Sequence, residues 1–125
     1  MVGDDFLNAA AEARTGLTAE EVVVQLRSIE DQLGRDRSAP RFSSRTMDLD
    51  LLLYDDLVIS TPELAVPRDE ISEHAFVLQP LVDIAPDLLH PLSAQPLAML
   101  LKDLQQRQPD QFEVLQEISL PFPDL

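Results

Sequence analysis

The chain has 125 residues, 45% of them apolar, so it is expected to form a single domain over residues 1–125 with a core of its own. A net charge of −14 excludes nucleic acid as a general partner, since a phosphate backbone needs a basic surface, and no apolar run reaches the length of a membrane span. The absence of Cys excludes a disulfide framework and a thiolate metal site, and with no basic or apolar leader pattern in residues 1–8 a cytoplasmic location is expected.

Residues 5–15 are predicted as a strand with Phe6, Asn8 and Ala10 on one face, although the Ala content favours helix. Thr18 followed by Glu21 is a capping box. Val22, Leu26, Ile29 and Leu33 then recur at helical spacing, with Val23 widening the stripe. Gly34 suits the position just past a helix end, which predicts a helix over roughly residues 19–33. Residues 34–47 are polar and Arg-rich and read as a surface loop. The run from Met47 to Tyr54 is dense in Leu and is predicted as a largely buried strand. Asp55-Asp56 signals a turn, and residues 57–60 and 64–66 are predicted as short strands of a hairpin around Thr61-Pro62, ended by Pro67. A short helix is predicted within residues 73–84, with Phe76, Val77 and Leu81 inward, and Pro80 asks for its first turn or a break. Ala85-Pro86 and His90-Pro91 are turn signals. Residues 97–104 are predicted as an amphipathic helix with Pro96 near its start, and Phe112 to Ile118 alternates like a last strand.

The informative stretch runs from Gly34 to Asp56. Asp48 and Asp50 are two residues apart, so in an extended segment both carboxylates leave the same face. Magnesium keeps several waters and takes one or two carboxylates together with substrate phosphates, which such a pair supplies. Taken bare, the pair reads better as a solvated carboxylate at a strand end than as a cation site, since the pattern is short. Its neighbours change the balance. The chain has eight Arg and one Lys, and Arg35, Arg37, Arg41 and Arg45 fall within eleven residues just before the pair. Guanidinium groups match phosphate geometry and stay charged, so this basic loop in an acidic chain points to a phosphate site. For Arg37 and Arg41 a solvated surface position is the competing reading.

The run Gly34-Arg35-x-Arg37 with Arg45-Thr46-Met47-Asp48-Leu49-Asp50-Leu51-Leu52-Leu53-Tyr54 resembles the signature of the 6-hydroxymethyl-7,8-dihydropterin pyrophosphokinase family. Asp5 to Ala10, Val66-Pro67-Arg68, Ala75 to Leu81 and Ile84-Ala85-Pro86 resemble further motifs of that family, in order, so the resemblance covers about residues 5 to 91. It implies an α+β, ferredoxin-like antiparallel sheet with helices packed on it, and transfer of diphosphate from ATP to a pterin alcohol in folate synthesis. By the same resemblance Asp48 and Asp50 hold two Mg2+ ions that bridge the ATP phosphates. Arg35 and Arg45 steady the transferred diphosphate, while Arg37, Arg68 and His74 contact ATP. Asn8 hydrogen-bonds the pterin, Phe6 and Phe76 sandwich its ring, and Phe42 helps a mobile loop over residues 35–45 to close. From the residues alone, Phe6 and Phe76 would read as core packing.

The chain departs from the family pattern in three ways. The family's opening strand and Gly-Ser-Asn-rich loop have no counterpart, so an N-terminal βαβ half is expected to be missing. A sheet without those members would expose strand edges and favour self-association. Arg68 stands where many members carry His, and His74 where many carry Arg; a plain surface residue competes with the phosphate role of His74. His90 reads as structural, and the extension over residues 92–125 has no assigned chemistry. Two other readings stay open: a non-catalytic remnant that binds nucleotide or a protein partner through its sheet edge, and a magnesium-phosphate protein unrelated to pterins.

Overall fold

A computed structural model of the chain describes residues 8–34, 48–113 and 115. Seven elements follow in order: α1 (Ala19–Gly34), β1 (Ile59–Ser60), β2 (Ala65–Val66), α2 (Glu70–Glu73), α3 (Ala75–Ile84), α4 (Leu97–Arg107) and α5 (Asp110–Glu113). The architecture is α+β, and the described residues divide into two compact units. One holds residues 12–34, 48–69 and 90–94, and the other residues 8–11, 70–89, 95–113 and 115. No described helix is long and apolar enough to cross a membrane.

In the first unit α1 begins where the capping box predicts. The Thr18 hydroxyl accepts the Glu21 N–H at 3.1 Å, and the Glu21 carboxylate accepts the Thr18 N–H at 2.8 Å. Two otherwise orphaned amides of the first turn are thereby satisfied. The predicted hairpin is present, β1 pairing antiparallel with β2 through Ile59 opposite Val66 and Ser60 opposite Ala65. Its loop closes through reciprocal backbone bonds between Thr61 and Leu64 at 2.9 and 3.2 Å, with Pro62 supplying a turn-compatible φ. Ala19, Leu64 and Val66 form a small core, and Val23, Leu51, Tyr54 and Ile59 pack against it. The Tyr54 hydroxyl donates to the Leu17 carbonyl, so this half-buried ring keeps its polar tip bonded. The turn at Asp55-Asp56 is present, with Asp55 at φ 50, a conformation Asp tolerates better than most residues.

Three expectations are corrected by these segments. The α1 face that meets the hairpin is the row through Ala19 and Val23, and Ile29 and Leu33 remain 42% and 50% exposed. Residues 48–54 form no ladder and are no more than half-buried. Among the described residues, α1 side chains bond the backbone of Leu49, the Arg68 N–H bonds the Leu52 carbonyl at 3.0 Å and the Leu57 N–H the Tyr54 carbonyl at 3.0 Å. The strand predicted over residues 5–15 is likewise absent from residues 8–15; four Ala with few β-branched neighbours favour no ladder.

The residues 90–94 make a turn with Ala94 at φ 60 and its N–H bonded to the His90 carbonyl at 2.8 Å. His90 is buried, and its Nδ1 accepts the Leu92 N–H at 3.2 Å and the Ser93 N–H at 3.5 Å. Acceptance at Nδ1 requires that nitrogen to be unprotonated, and burial lowers the His90 pKa through desolvation. The sign follows directly. The folded state resists a proton that the unfolded state takes up, so this contribution is complete above the unfolded value near about 6.5 and is lost as pH falls below it. Thermal melts at about pH 7.5 and about pH 5.5 are expected to show a smaller acid loss in His90→Asn, which keeps an acceptor but does not titrate.

In the second unit α2, α3 and α4 pack on one another around Ile71, Leu78, Leu97 and Leu104, all fully buried. α4 runs three residues beyond the expected 97–104 and buries Leu97, Leu101 and Leu104 at helical spacing. α3 continues through Pro80 where a break is expected. An interior Pro costs about 3 kcal/mol, so the burial of Ala75, Leu78 and Leu81 offsets a local penalty. Phe76, expected inward, is 45% exposed, because the buried row of α3 is set by residues 75, 78 and 81. Residues 110–113 are helical, so Phe112 and Glu113 are not the start of the strand expected from Phe112 to Ile118; Pro109 starts the turn and its carbonyl accepts the Phe112 N–H at 3.0 Å. Gln111 reaches back to α3, accepting the Ala75 N–H at 2.7 Å and donating to the Glu73 carbonyl at 3.0 Å. It caps a helix whose N-cap residue, His74, makes no side-chain cap of its own. Residues 114 and 116–118 of the expected strand lie outside the described residues.

Candidate functional site

The acid pair sits beside a groove in the first unit. Along residues 48–50 exposure alternates: Asp48 and Asp50 are open to solvent while Leu49 between them is half-buried. This alternation is the pattern that a period of two gives when the first and third residues share the open side. Asp50 lines a groove of about 350 Å³ together with Arg27, Leu51, Thr61 and Arg68. Its wall is laid down by the first half of α1, the segment after Asp50 and the hairpin loop. Arg27 Nη2 lies 3.7 Å from Asp50 Oδ1, an ion pair between two half-exposed side chains that adds little to stability.

Arg27 and Glu30 also hold the backbone of the acid pair. They are paired with each other at 2.5 Å on successive turns of α1. Arg27 Nη2 donates to the Leu49 carbonyl at 2.7 Å, and the Leu49 N–H donates to Glu30 Oε2. The amide acidity and the carbonyl basicity of one peptide residue are thus matched by one anion and one cation. Neither residue stands out in the sequence. The only signal is a basic and an acidic residue three apart on the helix row that also carries Ala19 and Val23.

Of the expected site residues, Asp50 and Arg68 meet at the same groove, and Asp48 is exposed two residues before Asp50. His74 and Phe76 are brought together in the second unit, their rings stacked with centroids 5.2 Å apart and planes inclined by 27°. Asn8 is exposed and belongs to that unit also. Phe6, Arg35, Arg37, Phe42 and Arg45 lie outside the described residues. Among the described residues no three His, Asp or Glu side chains gather as a metal site. A hard divalent cation that brings its own waters and phosphate ligands needs no such trio, and two solvent-exposed carboxylates two residues apart fit it.

These features define the class: an α+β chain that presents a solvent-facing carboxylate pair beside an open groove with guanidinium groups in its wall. The chain belongs to the 7,8-dihydro-6-hydroxymethylpterin-pyrophosphokinase (HPPK) family, whose model matches residues 1–86. It is 34% identical over 93 residues to the 2-amino-4-hydroxy-6-hydroxymethyldihydropteridine pyrophosphokinase of Aquifex aeolicus, covering 74% of this chain and 58% of that protein. It is 33% identical over 100 residues to the protein of the same name from Synechocystis, covering 80% of this chain and 51% of the relative. It also resembles the folic acid synthesis protein fol1 of Schizosaccharomyces pombe, 35% identical over 99 residues, which is 79% of this chain and 13% of that protein. The chain thus spans a little over half the length of the two pyrophosphokinases it matches.

Proposed function

We propose that the chain carries the diphosphate-transfer site of an ATP:6-hydroxymethyl-7,8-dihydropterin pyrophosphokinase of folate synthesis. The observation that supports this most is the open carboxylate pair Asp48 and Asp50 beside a groove that contains Arg68, in a chain of this family. The names of two relatives describe the same pyrophosphokinase and that of a third describes folic acid synthesis.

In the proposed reaction the pterin hydroxymethyl oxygen bonds to the β-phosphorus of ATP as the bond from that phosphorus to the α-phosphate oxygen breaks. AMP leaves with that oxygen, and the hydroxyl proton is released to solvent. Such transfers depend chiefly on positioning and on neutralising charge. Asp48 and Asp50 would hold two Mg2+ ions, which when bound offset the negative charge of the phosphates. Arg35 and Arg45 pair with the diphosphate in flight, and Arg37, Arg68 and His74 hold the rest of ATP. Asn8 orients the pterin by hydrogen bonds, Phe6 and Phe76 offer their ring faces to it, and Phe42 closes over it.

The test is AMP release from ATP with Mg2+ and the pterin alcohol, by this chain and by a version lengthened to the span of its pyrophosphokinase relatives. AMP formed in step with the pterin diphosphate is expected from at least one of them. Pterin-independent hydrolysis, or nucleotide binding without any AMP from either, overturns the reading and favours a non-catalytic binding role.

A further inference from the structure

Asp48 and Asp50 serve a cation only if their segment is held still, and among the described residues no strand ladder holds it. What holds it is the ion pair on α1. Leu49, the residue between the two acids, has both backbone groups engaged: its N–H by Glu30 and its carbonyl by Arg27. The partners lie 19 and 22 residues away in sequence, so the grip is tertiary. The two side chains are not independent, because Arg27 Nη1 and Glu30 Oε1 are bonded at 2.5 Å. Arg27 thus faces three ways, to Glu30, to the Leu49 carbonyl and to Asp50.

We propose that Arg27 and Glu30 are positioning residues that orient the Asp48–Asp50 pair for the divalent cation. The proposal rests on the reading of Asp48 and Asp50 as the cation-holding acids. Its chemistry is that of the outer partners of a metal site, which fix ligand orientation and whose loss costs about tenfold to a hundredfold in metal affinity or activity. Glu30 acts through the Leu49 amide, with the carboxylates of Asp48 and Asp50 following from the orientation of the peptides on either side.

Mn2+ is the probe, and its binding to the protein is followed by the enhancement of water-proton relaxation over that of Mn2+ and ATP without protein. Glu30→Ala is expected to weaken Mn2+ about tenfold, and Glu30→Gln, which keeps an acceptor for the Leu49 N–H, to recover most of that loss. Amide exchange at Leu49 should accelerate in the Ala variant and return towards the parent rate in the Gln variant, a readout independent of catalysis. Where turnover is measured, Glu30→Ala should lower kcat more than it raises KM for ATP. Asp50→Ala is measured alongside. If Asp50→Ala loses Mn2+ while Glu30→Ala and Glu30→Gln both bind it like the parent, the positioning role is overturned and the cation reading stands. If Asp50→Ala itself leaves Mn2+ binding unchanged, the cation reading falls and the positioning role with it.

Discussion

Replacing Asp50 by Ala is expected to reduce pterin-dependent AMP release by roughly a thousandfold or more, and replacing Asp48 should do much the same. A bound divalent ion supplies several kcal/mol of charge stabilisation in such a transfer, and each 1.36 kcal/mol is about tenfold in rate. Both side chains are open to solvent and neither fills the small core of Ala19, Leu64 and Val66, so the thermal melt of either variant should stay close to that of the parent. Asp50→Asn is the sharper variant, because it keeps the shape and removes only the charge. The measurement is the initial rate of AMP formation at saturating ATP and pterin, in whichever of the two chain lengths is active. A near-normal rate in either Ala variant removes that carboxylate from the mechanism, whereas a large loss with an unchanged melt ties it to the chemistry.

The parts of the fold that were legible in sequence are those decided by local chemistry. Thr18 and Glu21 form the capping box that their spacing announces, Thr61-Pro62 turns the hairpin, and Pro96 stands at the start of α4. The parts that were misread depend on partners distant in the chain. Residues 48–54 have the composition of a buried strand, yet α1 side chains occupy the hydrogen-bonding groups of Leu49 that a neighbouring strand would use. Pro80 asks for a first-turn position or a break, yet it lies inside α3, where the burial of Ala75, Leu78 and Leu81 offsets its cost. Phe112 alternates with its neighbours as a strand residue does, but Pro109 turns the chain into α5 first.

The site divides along the same line. The expectation that Asp48 and Asp50 share a face follows from a period of two and needs no tertiary information; both residues are exposed. The meeting of Asp50 with Arg68 at one groove needs the hairpin to form, which local turn signals already imply. The hold of Arg27 and Glu30 on Leu49 has no local signature. An Arg and a Glu three apart on a helix are ordinarily a solvated surface pair, and only the fold brings the intervening peptide of the acid pair within their reach.

The second large effect separates packing from binding within α3. Leu78 is fully buried in the α2, α3 and α4 packing, so Leu78→Ala is expected to lower stability by about 2–5 kcal/mol, the range for a buried Leu cut back to Ala. Against a typical domain stability of about 5–15 kcal/mol this is a large fraction, and a drop of many degrees in Tm should register it. Phe76, two residues earlier, has the larger side chain but is 45% exposed, with its ring stacked on His74. Nearly half of that residue's surface stays in water, so Phe76→Ala should cost only about 1 kcal/mol. If Phe76 serves as a face for the pterin ring, its loss should appear as weaker pterin binding with the melt preserved, the reverse of the Leu78 result. A Phe76→Ala variant that melts as early as Leu78→Ala would make the ring a packing residue, and the proposed pterin platform would then lack its support in α3.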